Sequence, residues 1–409
     1  MESRDVIIIG GGPAGLAAAV ELYRLGVTDL LLVEREKQLG GILRQCIHDG
    51  FGLTRFHAAL SGPEYAQRFI DEIWRLGIPY LTNSTVVSVS PEKVVTIAAP
   101  DGFRRLQAKA IIFAMGCRER TRGALAIPGE RPCGVFTAGV AQAYMNLYNR
   151  KIGNEIVILG SGDIGMIMAR RFTLEGAHVK AVFEINSIPS GLPRNIEQCI
   201  RDYHIPLYMN RTITEICGSV RVKGVKVSQV GPDLMPLAGT EEYWACDTVI
   251  LSAGLIPENE LSKEAGVMLD RRTRGAIVDE SFQTSCPGCF AAGNVLHVHD
   301  LVDYVSQEAE TVAAGVKAYL ENCLKSCSIH FQTDDRICYV LPQCISGASD
   351  IILSMRVRKK LERCTLVLKQ DHRVLFKKEL RAAIPAEMLR FPFKHEWIRS
   401  TSNIEVGFE

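Results

Sequence analysis

The sequence predicts an α/β protein in which two Rossmann-like units, one inserted into the other, are followed by a small β-rich C-terminal domain. Three observations support this prediction. A glycine-rich turn joins an apolar strand to a helix near the N-terminus, the same arrangement recurs 150 residues later, and the pattern becomes β-like after about residue 326. The length of 409 residues leaves room for two or three domains of ordinary size.

The first copy of the arrangement begins with the apolar strand Val6–Ile9, which leads into the turn Gly10–Gly15 and a helix from Leu16 to about Leu25. A second apolar strand, Leu30–Val33, ends in Glu34. Glycines let the backbone approach a pyrophosphate, and the helix N-terminus favours its negative charge. An acid after the second strand accepts hydrogen bonds from ribose hydroxyls. The segment therefore predicts a dinucleotide site.

The second copy has the strand Ile156–Leu159, the turn Gly160–Gly165, the helix Met166–Leu174, and the strand Val179–Phe183, which ends in Glu184. In both copies the acid follows the first glycine by 24 residues, which indicates a duplicated domain. A carboxylate at position 184 repels a 2′-phosphate, and no arginine follows through residue 191. We therefore expect NADH to be preferred over NADPH.

Other elements follow from shorter patterns. The segment Ser61–Leu76 has a serine N-cap and helical spacing, and Leu301–Leu320 predicts a long helix. Two short apolar runs, Ala110–Ala114 and Thr248–Ser252, predict buried strands that are followed by glycine. The β-type runs of the last domain are Asp350–Arg358, Cys364–Leu368 and Val374–Lys377.

Composition excludes several classes of protein. Lys+Arg number 47 and Asp+Glu 46, so charge gives no reason to expect nucleic acid or an anionic membrane as a partner. Hydrophobic residues make up 47%, which excludes a largely disordered chain. The apolar N-terminus is interrupted by glycines and a proline, and no apolar run reaches the roughly 18–20 residues of a membrane helix. We expect a soluble, cytoplasmic protein.

These motifs together resemble the pyridine nucleotide–disulfide oxidoreductases, over about residues 4–322, with the glutathione and thioredoxin reductase-like fold. The motifs that carry the resemblance are Val6–Gly15, Glu34, Ile111–Gly116, Ile127–Gly129, Gly160–Gly165, Cys246–Gly254 and Phe290–Asn294. Within the family, Gly40–Gly52 and Gly293–Asp300 look like segments of the FAD/NAD-binding subunits that partner amine, hydroxy-acid or glycerol-3-phosphate dehydrogenases.

The resemblance implies that the first glycine turn holds FAD and the second holds NAD(H). It implies a discontinuous FAD domain, 1–120 and 256–325, an inserted NAD(H) domain, 121–255, and a C-terminal domain, 326–409. Relatives usually have Asp where Asn294 stands, and an asparagine can still donate and accept hydrogen bonds. The expected cofactor contacts are Gly10, Gly12, Pro13, Ala14, Gly15, Glu34, Arg35, Gly41, Ile42, Leu43, Gln45, Val86, Ala114, Gly116, Gly160, Gly162, Asp163, Ile164, Gly165, Glu184, Gly254, Gly293, Asn294 and Val302.

The positions of the cysteines are informative. A disulfide reductase of this family places C-x₄-C after its first Gly-Gly or C-x₂-C before its second glycine turn, whereas this chain has Cys46 alone and Cys133 alone at those places. We therefore expect no redox disulfide. Cys46 and His48 are the candidate catalytic residues in the loop expected beside the flavin, where His48 would act as an acid or base. The alternative is that they only shape the flavin pocket.

No metal is expected. We interpret Cys286 and Cys289 as small buried residues that precede a strand, and a zinc site that they would share with His297 and His299 is a less favoured alternative. An iron–sulfur cluster is also less favoured, because the spacing fits no common pattern and the first two thiols would lie one helical turn apart. The cysteines concerned are Cys323, Cys327, Cys338 and Cys344.

The expected function is hydride transfer between NAD(H) and FAD within a dehydrogenase complex. A partner flavoprotein subunit would oxidise glycerol 3-phosphate or a small hydroxy or amino acid. The alternatives are a stand-alone NADH oxidase, a small-molecule or quinone reductase, and a non-catalytic scaffold that retains FAD. The basic run Arg356–Arg363 in the C-terminal domain is either a solvated face or a docking surface for the partner.

Overall fold

The computed structural model describes residues 2–409. The chain divides into two compact units, one made of residues up to Cys117 together with Pro257–Glu409, and the other of Arg118–Ile256. Each unit contains a sheet with parallel strands and flanking helices, so the predicted α/β class with two Rossmann-like sheets is confirmed. The connecting segments contain the short strands Cys117–Glu119 and Leu255–Pro257.

The main sheet of the first unit has seven strands. Six of them lie side by side in the order Tyr80–Leu81, Leu30–Val33, Glu2–Ile9, Gly102–Phe113, Val94–Ala99 and Thr85–Val89. The seventh, Cys289–Ala291, pairs in parallel with the C-terminal end of Gly102–Phe113. The first strand is apolar in its second half because both faces are covered there: Val6 and Ile8 pack in one hydrophobic cluster, and Ile7 and Ile9 in another.

The helices of this unit are Pro13–Arg24, Gly62–Leu76, Glu260–Glu264 and Val302–Leu320, with the 3₁₀ turns Gly41–Gln45, Gly293–Val295 and His395–Trp397. The predicted cap at Ser61 is confirmed, since its backbone N–H and its hydroxyl both donate to Glu64. The prediction that Cys323 and Cys327 share a helix is wrong. The helix ends at Leu320, where Asn322 adopts a left-handed conformation and the Cys323 N–H donates to the Ala318 carbonyl.

The last part of the chain is β-rich, as predicted. One sheet has the strand order Cys344–Ile345, Ile329–Thr333, Ile404–Phe408, Leu361–Gln370 and Arg373–Ala383, and the other has Ile337–Leu341, Ile351–Val357 and Leu389–Phe393. The two sheets share one hydrophobic cluster, in which Phe393, Leu353 and Leu368 are fully buried. A small hairpin, Asp49–Phe51 with Leu60–Ser61, lies earlier in the same unit.

The second unit has a five-stranded parallel sheet in the order Val135–Thr137, Thr248–Leu251, Glu155–Leu159, His178–Phe183 and Leu207–Tyr208. Its other strands, Arg211–Cys217, Gly224–Gln229 and Glu242–Ala245, form an antiparallel sheet. Its helices are Ala138–Asn146, Asp163–Leu174 and Pro193–Asn195, the last running into the π-helical turn Ile196–Arg201.

Candidate dinucleotide sites

The first glycine loop, Gly10–Gly15, can be built only with glycine at key positions. Gly10 has φ +111°, and a Cβ there would lie 2.4 Å from the Ala114 carbonyl oxygen. A Cβ on Gly15 would lie 1.8 Å from the Gly10 carbonyl oxygen. The helix Pro13–Arg24 therefore begins directly against the end of the first strand, with its N-terminal N–H groups at the loop.

Glu34, which follows the neighbouring strand Leu30–Val33, is hydrogen-bonded to this loop. Its carboxylate accepts the Gly11 N–H at 2.6 Å and the Glu36 N–H at 2.8 Å, and the residue is 5% exposed. A buried carboxylate held by two backbone donors has a fixed position, which is what recognition of a ribose diol requires.

The second glycine loop, Gly160–Gly165, repeats this construction. Gly160 has φ +98°, and a Cβ there would lie 2.2 Å from the Ser252 carbonyl oxygen. The buried Glu184 carboxylate accepts the Ser161 N–H at 2.9 Å and the Asn186 N–H at 3.0 Å. These partners are the residues that correspond to Gly11 and Glu36 at the 150-residue offset, so the duplication extends to the hydrogen bonds.

Asp163 lies at the first position of the helix Asp163–Leu174, with Ile164 next to it. Its carboxylate accepts the Leu192 N–H at 2.8 Å and the side-chain amide of Asn195 at 2.6 Å. The structure thus directs this side chain toward the segment that follows Glu184. Beyond the end of the strand Thr248–Leu251, the Gly254 carbonyl accepts the Arg120 N–H at 3.0 Å.

Three segments that are distant in sequence meet at the first glycine loop. A Cβ on Gly41 would lie 2.8 Å from the Gly12 Cα atom, and one on Gly293 would lie 3.0 Å from the Ala14 Cβ atom. The Gly40 N–H donates to the Gly11 carbonyl at 2.8 Å. The predicted contact segments are therefore brought together into a backbone-lined cradle. Because side chains are excluded from it, this cradle fits a pyrophosphate that needs N–H donors at close range.

The other predicted contacts lie in several further segments of the same unit. The Ser84 N–H donates to the Glu34 carbonyl at 3.0 Å, which places the strand containing Val86 next to that acid. The Gly116 carbonyl accepts the Glu258 N–H at 3.0 Å. Leu43 and Gln45 are buried, Arg35 and Ile42 are exposed, and Val302 is the first residue of the long helix.

Cys46 lies at the end of the 3₁₀ turn Gly41–Gln45, and its thiol donates to the Ile42 carbonyl at 3.4 Å. Burial raises the pKa of this thiol to about 12. The thiol therefore stays protonated at neutral pH and does not act as a nucleophilic thiolate. His48 lies near Phe51, with 5.0 Å between the two ring centroids.

Among residues 2–409, the remaining cysteines do not come together as a zinc site with the two histidines or an iron–sulfur cluster would require. Within residues 2–409, none of the 13 cysteines forms a disulfide. Cys289 is buried in its strand with its pKa raised to about 12 by burial, and the Cys286 thiol donates to the Ala265 carbonyl at 3.2 Å. In the same described residues, the cluster of close metal-type donors combines His297 and His299 with Glu308, not with thiols.

This histidine cluster, His297, His299 and Glu308, was not expected from the sequence. The Glu308 carboxylate contacts Nε2 of His297 at 2.9 Å and Nε2 of His299 at 3.2 Å, and it accepts the Gly293 N–H at 2.7 Å. Burial, reinforced by the neighbouring His299, lowers the pKa of His297 to about 4. Burial opposes ionisation of Glu308, but the two histidines outweigh it and hold the pKa of this carboxyl well below its usual range.

The long helix Val302–Leu320 presents further buried polar groups to the site. The Asp303 carboxylate accepts the N–H groups of Gly52 at 3.2 Å and Arg55 at 2.9 Å, and the Ser306 hydroxyl lies 2.8 Å from that of Tyr65. Asp303 and Ser306 are three residues apart and so lie on one helical face, a spacing that is visible in the sequence. The helix N-terminus thereby fixes the loop that follows the predicted catalytic candidates.

The C-terminal segment covers the histidine cluster. Arg356 forms an ion pair with Asp300 and donates to the Val298 carbonyl at 3.1 Å, and the Tyr339 hydroxyl lies 3.3 Å from Nδ1 of His297. Because Arg356 is used internally, a docking role for the basic run rests on residues 358–363, where Arg358, Lys359 and Lys360 are exposed.

Comparison with known proteins identifies the family of the chain. Residues 4–318 match the family model described as pyridine nucleotide-disulphide oxidoreductase, and the chain belongs to that family. The expected family is therefore confirmed.

Sequence identity between the chain and individual relatives is low. The chain is 28% identical over 313 residues to an NAD(P)H sulfur oxidoreductase (CoA-dependent) of Pyrococcus abyssi, a match that covers 73% of this chain and 64% of the relative. It is 24% identical to an opine oxidase subunit of Agrobacterium tumefaciens, over 71% of this chain and 61% of the relative. A thioredoxin reductase structure from T. acidophilum superposes with a TM-score of 0.64 at 25% identity, covering 79% of this chain and all of that one. The chain thus spans under two thirds of the length of the first two proteins.

Proposed function

We propose that the chain transfers hydride between NAD(H) and FAD and exchanges electrons with a separate flavoprotein dehydrogenase subunit. That subunit would oxidise glycerol 3-phosphate or a similar small hydroxy or amino acid. The bound cofactors would supply the hydride chemistry. The protein would supply placement: the loop at Gly10–Gly15 with Glu34 would hold FAD, and the loop at Gly160–Gly165 with Glu184 would hold the nicotinamide nucleotide.

The observation that carries this proposal is the state of the thiol at the flavin loop. Cys46 is a protonated, half-buried thiol, and Cys133 has no cysteine near it in sequence. A disulfide reductase passes electrons through a pair of thiols, so electrons here need another exit. The similarity to the opine oxidase subunit supports an exit to a second protein.

Other residues would tune the flavin site. The helix beginning at Val302 would direct its N-terminal N–H groups to the electron-rich edge of the reduced ring. Asn294 would stand near the ribityl chain, with its carboxamide oxygen held by the His299 N–H at 3.0 Å. We keep a cytoplasmic location as part of this proposal, because a chain with 13 unbridged cysteines suits a reducing compartment. Among residues 2–409, no helix combines the length and apolar character needed to cross a bilayer.

One alternative has an observation in its favour. The relative from Pyrococcus abyssi carries the name of an NAD(P)H sulfur oxidoreductase, which favours a stand-alone NADH-dependent reductase of a small acceptor. Here the acceptor would meet the reduced flavin directly, with no partner subunit.

Co-purification and turnover separate the two functions. The full chain is isolated from its native cells under low salt, and bound proteins are identified by mass spectrometry. Stoichiometric recovery of a second flavoprotein, together with slow NADH oxidation by the isolated chain, supports the complex. Fast NADH oxidation by the isolated chain with oxygen, quinone or polysulfide, and no co-purifying flavoprotein, supports the stand-alone reductase.

A further inference from the structure

The histidine cluster is sealed from solvent. The side chains of His297, His299 and Glu308 are 1%, 3% and 6% exposed. Their inner atoms, the two Nε2 nitrogens and one carboxylate oxygen, lie within 4.8 Å of one another. Three converging donors in a water-excluded site need an internal cation or internal protons to be stable.

The outer atoms of the same groups are fixed by other residues. Nδ1 of His297 is 3.3 Å from the Tyr339 hydroxyl, and Nδ1 of His299 is 3.3 Å from the Asn294 side-chain oxygen. The second oxygen of Glu308 accepts the Gly293 N–H at 2.7 Å. An outer hydrogen bond on every ligand is the pattern that orients side chains around a metal ion.

Hydrogen bonds on the outer atoms orient the inner atoms of the cluster. The Asn294 carboxamide oxygen accepts the backbone N–H of His299 at 3.0 Å and lies 3.3 Å from Nδ1 of the same residue. Nε2 of that ring therefore faces the Glu308 carboxylate, 3.2 Å away. The nearby Arg356 is paired with Asp300.

We propose that His297, His299 and Glu308 bind a divalent transition-metal ion, Zn²⁺ by the chemistry of the donors, through their Nε2 atoms and one carboxylate oxygen. Two imidazoles with one carboxylate are a common three-ligand zinc set. Tetrahedral geometry at usual bond lengths separates neighbouring ligand atoms by about 3.3 Å. The separations of 2.9 and 3.2 Å between the carboxylate oxygen and the two nitrogens are close to this value, and the two nitrogens lie within 4.8 Å of each other. The site goes beyond the proposed electron transfer and does not depend on it.

The ion would have a structural and electrostatic role. It would tie the turn after Gly293 to the long helix, and with the single carboxylate of Glu308 it leaves a net positive charge. The Glu308 carboxylate would bind the ion with one oxygen, and its other oxygen accepts the Gly293 N–H, so the positive charge would act close to Gly293. A ligand with negative phosphates near Gly293 would be stabilised by it.

Metal analysis of the holoprotein tests the site. The protein is produced without a polyhistidine tag in zinc-supplemented medium, dialysed against metal-free buffer, and assayed for metals by mass spectrometry alongside its flavin content. We expect about one first-row divalent ion per chain, lost by at least about tenfold in His299→Ala and in Glu308→Gln. The matched control is His395→Ala, which removes an exposed histidine 2.7 Å from the Asp350 carboxylate and leaves the ion in place.

Two outcomes overturn the proposal. One is a wild-type protein with no stoichiometric first-row metal and a melting temperature that added Zn²⁺ does not change, since protons then hold the cluster together. The other comes from X-ray absorption at the metal edge of the wild-type protein, which needs no variant that could misfold. Nitrogen and oxygen neighbours at about 2.0–2.1 Å support the site, whereas sulfur at about 2.3 Å would place the ion on thiols.

Discussion

The twin carboxylates Glu34 and Glu184 provide a matched pair of perturbations. Each is buried, each accepts the N–H that follows the first glycine of its loop, and each lies in a different unit. The variants Glu34→Gln and Glu184→Gln keep the shape of the side chain and remove its charge. If the two loops hold different cofactors, each variant should weaken one cofactor and spare the other.

The magnitude follows from the hydrogen bonds. A glutamine keeps one acceptor oxygen, so in Glu34→Gln either the Gly11 or the Glu36 N–H, at 2.6 and 2.8 Å in the wild type, faces an amide NH₂. Losing a charge-assisted hydrogen bond costs about 1.5–3 kcal/mol. The same loss applies to the ribose hydroxyls that the carboxylate would accept. Affinity for the matching cofactor should therefore fall by roughly 10- to 150-fold.

The assay measures both affinities on each variant. FAD binding to the deflavinated chain is followed by quenching of flavin fluorescence, and NADH binding by titration of the reduced holoprotein. We expect Glu34→Gln to weaken FAD and leave NADH nearly unchanged, with the reverse in Glu184→Gln. Weakening of FAD by Glu184→Gln with no effect of Glu34→Gln would refute the assignment of the loops. Loss of both affinities in both variants would instead show that the two acids only support the fold.

Three further predictions concern thiol reactivity, the C-terminal segment and nucleotide choice. Because its pKa is raised to about 12, Cys46 should alkylate far more slowly than the exposed Cys133 from pH 7 to 9, as mapped by peptide mass spectrometry; equal rates would contradict the buried thiol. Arg356→Ala should destabilise the chain by about 2–3 kcal/mol in urea unfolding, because the largely buried Asp300 carboxylate loses its ion pair and keeps the Met388 N–H, whereas Lys360→Ala at an exposed pair should change little. Because of the Glu184 carboxylate, NADH should reduce the flavin at much lower concentration than NADPH, and an NADPH preference in stopped-flow reduction would count against this role.

The local elements around the two glycine loops were predictable because each pattern lies within one short segment of the chain. Strand, glycine turn, helix and terminal acid all lie within about 30 residues, and glycine is required there by backbone contacts such as that between Gly15 and the Gly10 carbonyl. The Ser61 cap was predictable for the same reason, since its partner Glu64 is three residues away. Nothing distant in sequence competes with these local preferences.

The histidine cluster was not predictable because its members are assembled by tertiary structure. The spacing of His297 and His299 is visible in the sequence, but Glu308 joins them only through the turn between the strand Cys289–Ala291 and the long helix. Tyr339 reaches the cluster from a sheet that the sequence assigned to a separate domain. The predicted end of the long helix at Leu320 is confirmed, but the placement of Cys323 and Cys327 on one helix was wrong, because the left-handed Asn322 follows the end of the helix.

Anaerobic titration of the purified holoprotein with NADH tests the central claim most directly. Flavin absorbance is recorded as NADH is added. Metal-free and zinc-supplemented samples are titrated in parallel, so that any effect of the metal ion on flavin reduction is seen separately. The two-cofactor account predicts that the flavin is bleached by about one equivalent of NADH, because one hydride from NADH reduces one flavin. A flavin that remains oxidised in excess NADH would contradict the account and would leave FAD as a structural group.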